Sequence, residues 1–404
     1  MPSDYDSIRA DNIREYGEGT RHLSFLGRLY TDRTHFIFEL LQNAEDAGAA
    51  KILFELFEDR LEVKHDGRPF DERDVRGVCG VGEGTKAEDL TQIGKFGIGF
   101  KSVYAYTSAP EVHSGVEHFR IEHYVRPYKA ATKVPGDAWT TLFVFAFDAA
   151  GLEPQTAMYE IAERLRNLSA RTLLFLRNIK EIEYKLPDET GGVYLREAVS
   201  HGQARQVTVI GQNNGQDEDE NWLVFERPLS VPDSADTVWV EIGFKLEANS
   251  KDRNESIVRI KESPLVVYFP TEKSTRFGFL IQGPYRTTPS RDNIPKDDDW
   301  NTKLVEETAL LLVDALQSLK KMGLLTVALL NALPIRMGDF PEDGMFYPIV
   351  EAVRDALLDQ ELLPTDDGTF VSAKNAKLAS ADWLRKLLQD EQLRQLFKTK
   401  APLK

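Results

Sequence analysis

The sequence predicts an α+β fold on three observations: a strongly amphipathic helical stretch at 33–47, strand-like segments beginning at 51–65, and a return to helical spacing after Trp300. In RTHFIFELLQNAEDA (33–47), Ile37, Leu40, Leu41 and Ala44 line one helical face, and Asp32 and Gly48 bracket the run as cap and stop. KILFELF (51–57) and LEVKH (61–65), joined by the polar Glu58-Asp59-Arg60, read as a hairpin that breaks at Asp66-Gly67. Thr85 to Gly99 is a glycine-punctuated loop. TTLFVFAF (140–147) reads as a buried strand, 155–176 as a helix ending in LLFL, and RNIKEIEYKL as a strand. From 178 to about 285, short strands alternate with polar loops such as QNNGQDEDEN (212–221) and EANSKDRNES (247–256). Helical spacing runs from Trp300 to about 332, and the remaining chain reads as mostly helical around a turn at 364–368.

A chain of 404 residues is long for one core, so two domains and an appendage are expected. No run approaches the roughly 18 apolar residues of a membrane span, and the polar, acidic opening MPSDYDSIRADNIREYG does not read as a signal peptide. A cytoplasmic protein without a membrane partner is the expectation. Cys79 is the only cysteine, which excludes internal disulfides and a multi-thiolate zinc site, and its apolar surroundings (75–81) read as buried filling. The seven histidines do not cluster at ligand spacing; His22, His35 and His113 have no partner visible in sequence and read as packed or solvated. The net charge of −15 argues against a dominant non-specific nucleic-acid surface, because phosphate binding depends on basic groups; a local basic groove stays open.

Two stretches carry chemistry. Glu39, Asn43 and Asp46 stand at i, i+4 and i+7 and share a helix face opposite the apolar stripe. An amide oxygen there can complete the octahedron of a Mg²⁺ held by phosphates, and a neighbouring glutamate can polarise water for attack on a γ-phosphate. A solvated polar face is the plain alternative for such a triad taken alone. In Ile93-Gly94-Lys95-Phe96-Gly97-Ile98-Gly99-Phe100-Lys101-Ser102 the glycines permit close backbone approach, and a helix is expected straight after, so amide groups can cradle an anion. A glycine triplet alone is an ordinary loop signal.

Together, Glu-x-x-x-Asn-x-x-Asp-Ala at 39–47, His-Asp-Gly at 65–67, Gly-Thr-Lys at 84–86 and Gly-x-x-Gly-x-Gly at 94–99 resemble the ordered motifs of the gyrase, heat-shock-ninety, histidine-kinase and MutL ATPase superfamily. FELLQNAEDA, HDGRPF, GTK and IGKFGIGFKSVY are most similar to sacsin-like and NO VEIN-like ATPases, strongly over about residues 20–150. The resemblance implies a Bergerat-type two-layer ATP-binding sandwich at 1–153, an α/β transducer-like middle domain at 154–335 and a helical segment at 336–404. It implies ATP and Mg²⁺ as ligands, with Glu39 as general base, Asn43 as metal ligand and Asp46 supporting the metal waters. Nucleotide-binding positions follow at Ala47, His65, Asp66, Gly67, Thr85, Lys86, Gly94, Lys95, Phe96, Gly97, Ile98, Gly99, Phe100, Lys101 and Thr141, with a lid from about 79 to 96. Thr141 matches a threonine that helps bind adenine through water. Thr288-Pro289-Ser290-Arg291-Asp292-Asn293-Ile294 is similar to the heat-shock-ninety loop that sends an arginine to the γ-phosphate; Arg291 is the candidate and Arg286 the reserve.

One departure concerns the base. The superfamily has Asp-x-Gly-x-Gly where this chain has His65, Gly67 and Pro69, with Asp66 one residue late. A carboxylate accepts readily from an exocyclic amine, whereas a histidine accepts only through an unprotonated nitrogen, so Asp66 is the favoured acceptor. The expected output is slow Mg²⁺-dependent ATP hydrolysis driving a chaperone-like or clamp-like change of shape. A nucleotide-gated assembly sensor with little turnover is the alternative, while a histidine kinase lacks room for its phosphoacceptor helix before the first motif. Relatives imply a larger chain, protein partners, ATP-dependent dimerisation and, in bacteria, antiviral defence; whether nucleic acid is a partner stays open.

Overall fold

The structure, a computed structural model, describes residues 1–19, 23, 32–81, 99–231, 237–248, 255–287, 294–365 and 368–376. The chain forms two compact units: the first mainly Met1–Ala198 with Val207–Glu220, the second mainly Asn221–Thr287 with the chain beyond 294. Both are α+β, with mixed, largely antiparallel strands and packed helices. No described helix is long and apolar enough to cross a membrane.

In the first unit the helices are α1 (Tyr5–Tyr16), α2 (Phe36–Asp46), α3 (Glu72–Cys79) and α4 (Pro154–Arg166). Its strands are β1 (Lys51–Leu56), β2 (Arg60–His65), β3 (Glu111–Ser114), β4 (Glu117–Glu122), β5 (Arg126–Lys129), β6 (Thr141–Ala146), β7 (Glu181–Lys185), β8 (Gly191–His201), β9 (Ala204–Asn213) and β10 (Gln216–Asp217). They run in the order β9-β8-β7-β1-β2-β6-β3-β4-β5, with β10 on β9. The predicted hairpin is β1–β2, antiparallel from Ile52↔His65 to Leu56↔Leu61. Asp32 accepts from the Thr34 amide at 2.9 Å and starts a 3-10 turn, Arg33–His35, that runs into α2. The helix ends at Ala47, and Gly48 takes φ 70 to turn the chain toward β1.

Two expectations need correction. The helix predicted over 155–176 stops at Arg166, because the Asn167 side chain bonds back to the Glu163 carbonyl at 2.7 Å and Ser169 and Thr172 form a capping box. Leu173, Leu174, Phe175 and Leu176 are buried without helical structure. The first unit also runs past residue 153, since α4 is the crossover that lets β7 pair parallel with β1, and β8 then pairs antiparallel with β7.

Glu45 secures that crossover. It is 4% exposed, and its carboxylate accepts from three successive backbone amides, Arg177 at 2.7 Å, Asn178 at 2.8 Å and Ile179 at 2.9 Å. Just after it, Lys180 donates to the Ala50 carbonyl at 2.7 Å, setting β7 beside β1.

The second unit contains β11 (Glu220–Ser230), β12 (Thr237–Ala248), β13 (Glu255–Val258), β14 (Pro264–Val267), β15 (Phe269–Ser274) and β16 (Leu280–Gln282), ordered β11-β12-β16-β14-β15 with β13 on β12. Asp298 caps α5 (Asp299–Lys321), which packs on β12 and α7 (Tyr347–Asp359); α6 (Val327–Ala332) packs on β13. The turn expected at 364–368 belongs to a small hairpin, β17 (Leu363–Pro364) with β18 (Phe370–Val371), so this part of the tail is not wholly helical. The Leu-rich stretch at 381–398 lies outside the described residues.

Removing the Glu45 carboxylate leaves three amides, that of Ile179 buried, without their acceptor, each charge-assisted bond being worth about 1.5–3 kcal/mol. Glu45→Ala is expected to lower the stability of the first unit by about 3 kcal/mol or more. A urea-denaturation midpoint within error of wild type would refute the clasp.

Candidate functional site

The site is assembled on α2. Glu39 is 5% exposed and Asn43 9%, so both polar groups project into protein and not into bulk water. His35, one turn earlier, brings Nε2 to 3.3 Å from Glu39 Oε1. The histidine without a visible partner is therefore the neighbour of the candidate base, and the missed signal was its i, i+4 spacing. On the other side of Glu39 stands Gly99: a Cβ built there would overlap the Glu39 carboxylate. A larger residue there would require the Glu39 carboxylate to move, which ties the last glycine of the loop motif to the first acid of the helix motif. Asp46 lies at the C-terminal end of α2, half-buried.

Ala47 joins the helix to the His-Asp-Gly corner. A Cβ on Gly67 would come within 2.8 Å of the Ala47 carbonyl and 2.9 Å of its methyl, and Arg68 donates to that carbonyl at 2.9 Å. His65 ends β2 and stands opposite Thr141, the first residue of β6, whose other neighbour is Ser114 on β3. Thr141 and Ser114 share a hydroxyl hydrogen bond at 2.6 Å, and the Phe70 amide donates to Ser114 at 2.9 Å. Thr140 donates its hydroxyl to the carbonyls of His65 and Gly67. Phe100 packs beside Phe143 and Phe145 of β6, Phe36 of α2 meets Phe145, and Phe143 meets His65. This aromatic layer sets the spacing between helix and sheet.

The corner assigns different work to the two candidate base readers. Asp66 Oδ1 accepts from the amides of Ala50 and Lys51 at 2.8 and 2.9 Å, clasping the start of β1; the carboxylate favoured as a ligand acceptor is engaged in holding the corner. His65 Nδ1 accepts from the Gly67 amide at 3.2 Å, which in the neutral ring leaves the proton on Nε2. His65 is thus a donor at its other edge, not a substitute for an aspartate.

Lys101 also departs from its expected place near phosphates. It is fully buried, and its ammonium donates to the carbonyls of Val78 at the end of α3 and of Tyr124 in the β4–β5 turn. Burial lowers its pKa to about 8 and raises that of the neighbouring Cys79 thiol to about 12, so Cys79 is filling and not a nucleophile. The 3-10 turn Phe100–Ala105, short where a longer helix was expected, is anchored by this ammonium. Thr85, Lys86, Gly94, Lys95, Phe96, Gly97, Ile98 and Arg291 lie outside the described residues. The reserve arginine, Arg286, is paired with Asp298 at 3.2 Å.

Burial lowers the pKa of His65 from 6.5 to about 4. A depressed histidine favours the neutral form in the folded state, while the unfolded chain takes up its proton near 6.5; the unfolded state therefore binds more protons between the two values. Stability is expected to fall as pH drops from 6.5 toward 4, by about 3 kcal/mol from this group alone. His65→Asn should flatten that part of the pH–stability curve, and an unchanged slope would show that His65 does not set it.

Comparison with known proteins adds sequence similarity at the same place. Residues 20–122 match the family model of the Sacsin domain. The chain is 30% identical to Protein NO VEIN of Arabidopsis thaliana over 320 residues, 72% of this chain and 11% of that protein. It is 34% identical to Sacsin of Homo sapiens over 113 residues, 24% of this chain and 2% of that protein. The chain thus spans about a tenth or less of the length of these relatives. A solved structure described as the N-terminal domain of a DNA repair protein aligns with a TM-score of 0.40 at 13% identity, over 67% of this chain and 90% of that one. The two sequence relatives and the domain match support a sacsin-like family for this chain.

Proposed function

We propose that the first unit binds ATP with Mg²⁺ and hydrolyses it slowly, coupling the nucleotide state to a change of shape in a larger, sacsin-like protein. The observation that carries the reading is the contact between Glu39 and Gly99: a buried carboxylate lies directly against the backbone of the glycine-rich segment, where a side chain of any size would collide. Such a carboxylate can take a proton from a water attacking a phosphate held by that backbone. His35 keeps the carboxylate from turning away, and it can share the proton that the carboxylate gains.

The Asn43 side chain, one turn further along α2, is the group that would hold Mg²⁺, with Asp46 behind it; the fit rests on a hard amide oxygen placed beside a buried acid with no bulky cation between them in sequence. A bound Mg²⁺ would supply charge neutralisation on the phosphate oxygens. Gly67 and Ala47 form a floor too close-packed for a larger side chain. Thr141 and Ser114 offer hydroxyls for water-mediated contact with a base, and His65 offers an Nε2 proton. Protein partners, ATP-dependent dimerisation and a chaperone-like or clamp-like output belong to the same reading, as does an arginine delivered by Arg291.

Removing a positioned general base typically costs about 10²–10⁴ in rate. Glu39→Ala is expected to bind ATP in the presence of Mg²⁺ with near wild-type affinity while phosphate release falls at least about a hundredfold. Wild-type binding without turnover would replace the ATPase reading by a nucleotide-gated sensor, and absence of binding would remove both. Gly99→Ala, which drives a methyl into the Glu39 carboxylate, should lose turnover as well; unchanged turnover there would disprove the contact's role.

A further inference from the structure

The second unit contains a cavity of about 340 Å³ on whose rim three arginines converge: Arg259 after β13, Arg276 after β15, and Arg336 beyond α6. The chain carries a net charge of −15, and many of its other described arginines, among them Arg60, Arg68, Arg76, Arg166 and Arg227, are paired with carboxylates. Among the described residues these three make no ion pair. Two are instead held by main-chain carbonyls of the cavity's own wall: Arg259 Nη1 donates to Asn331 O at 2.8 Å and Arg276 Nη1 to Asp339 O at 3.4 Å. Carbonyl partners orient a guanidinium without neutralising it, so the positive charge stays available. Asp339 is the one acid on the lining, leaving an excess of positive charge.

The wall that carries these groups is rigid. A Cβ on Gly278 would overlap Ala332, Gly278 donates to the Ala332 carbonyl at 2.9 Å, and Ile260 donates to the Gly278 carbonyl at 3.0 Å. Ile260, Gly278 and Ala332 are thereby held together. Nearby, Arg276 occupies φ 63, a left-handed backbone that is unfavourable for a residue with a Cβ and that glycine would adopt freely. An arginine kept at a glycine's position is costly unless its guanidinium is needed there. Apart from Asn331, the rest of the lining is apolar, with Leu330, Leu333, Pro334, Ile335 and Phe340, and Phe340 packs on Phe277 at 5.6 Å.

We infer that this cavity binds a small organic phosphate, the three guanidinium groups holding the phosphate oxygens and the apolar wall taking the organic part. Planar donors facing tetrahedral oxygens match this group, and an apolar face beside them selects an ester over the free anion. The site is separate from the one on α2 and does not depend on the ATP reading.

The test is calorimetric titration of the full chain, without nucleotide or Mg²⁺, using phenyl phosphate and inorganic phosphate as probes. Wild type is expected to bind phenyl phosphate saturably and more tightly than inorganic phosphate. The double variant Arg259→Gln/Arg336→Gln should weaken both at least about tenfold. No saturable binding by wild type, or equal affinity in the double variant, overturns the site; equal affinity for the two probes overturns the organic ligand. Arg276→Gly provides the second readout: weaker binding with a melting temperature no lower than wild type is expected, and full binding in that variant would overturn the role of Arg276.

Discussion

A helix buried on nearly every side cannot leave its charges without partners, and α2 is such a helix. From Phe36 to Glu45 every residue except Phe38 is buried, including the carboxylates of Glu39 and Glu45 and the amides of Gln42 and Asn43. An isolated charge in that environment costs far more than a domain's net stability, so the surrounding chain has to be arranged around these groups. Glu45 draws in the amides of 177–179 and thereby the crossover into β7. Glu39 is met by His35 and by the backbone of Gly99. Structure and candidate chemistry use adjacent faces of one element, Glu45 looking toward the sheet extension and Glu39 toward the glycine-rich segment.

The sheet supplies the complementary half. β2 ends where the antiparallel β6 begins, which brings His65 and Thr141 to one position and sets Ser114 of β3 beyond them. Clasps around that corner involve main-chain atoms at almost every step, through Asp66, Thr140, Ser114 and the tight approach of Gly67 to Ala47. Such a network of main-chain hydrogen bonds and close contacts fixes where the polar groups of the corner stand. The buried Lys101 extends the same logic to the end of α3: an ammonium satisfied by two carbonyls ties the 3-10 turn after Gly99 to the segment that precedes the glycine-rich stretch.

The two units use charge differently. In the first, buried acids are satisfied by backbone amides and a histidine; in the second, arginines beside a cavity are held by backbone carbonyls and keep their charge unmatched. Backbone partners orient a side chain without cancelling its charge, whereas an ion pair does both.

Local chemistry and spacing were enough to read the amphipathic α2 with Asp32 starting the turn that leads into it, the β1–β2 hairpin and the strand at β6. These features depend on residues near one another in sequence, where periodicity and turn chemistry act directly. The sequence could not decide what depends on distant partners. The helix beginning at 154 was read too long because the apolar LLFL run continues a helical pattern that Asn167 and Ser169 break by bonding to their own backbone. Lys101 sits in a motif that suggests phosphate, yet Val78 and Tyr124, each 23 residues away, supply the carbonyls that claim it. Asp66 and His65 are both bonded to main-chain amides, Asp66 to those of Ala50 and Lys51 and His65 to that of Gly67. The three arginines at 259, 276 and 336 share no motif, and it is the folded chain that places them on one cavity. Residue type and spacing determined the local elements and the candidate polar groups, and tertiary hydrogen bonds decided which of those groups are engaged by the backbone.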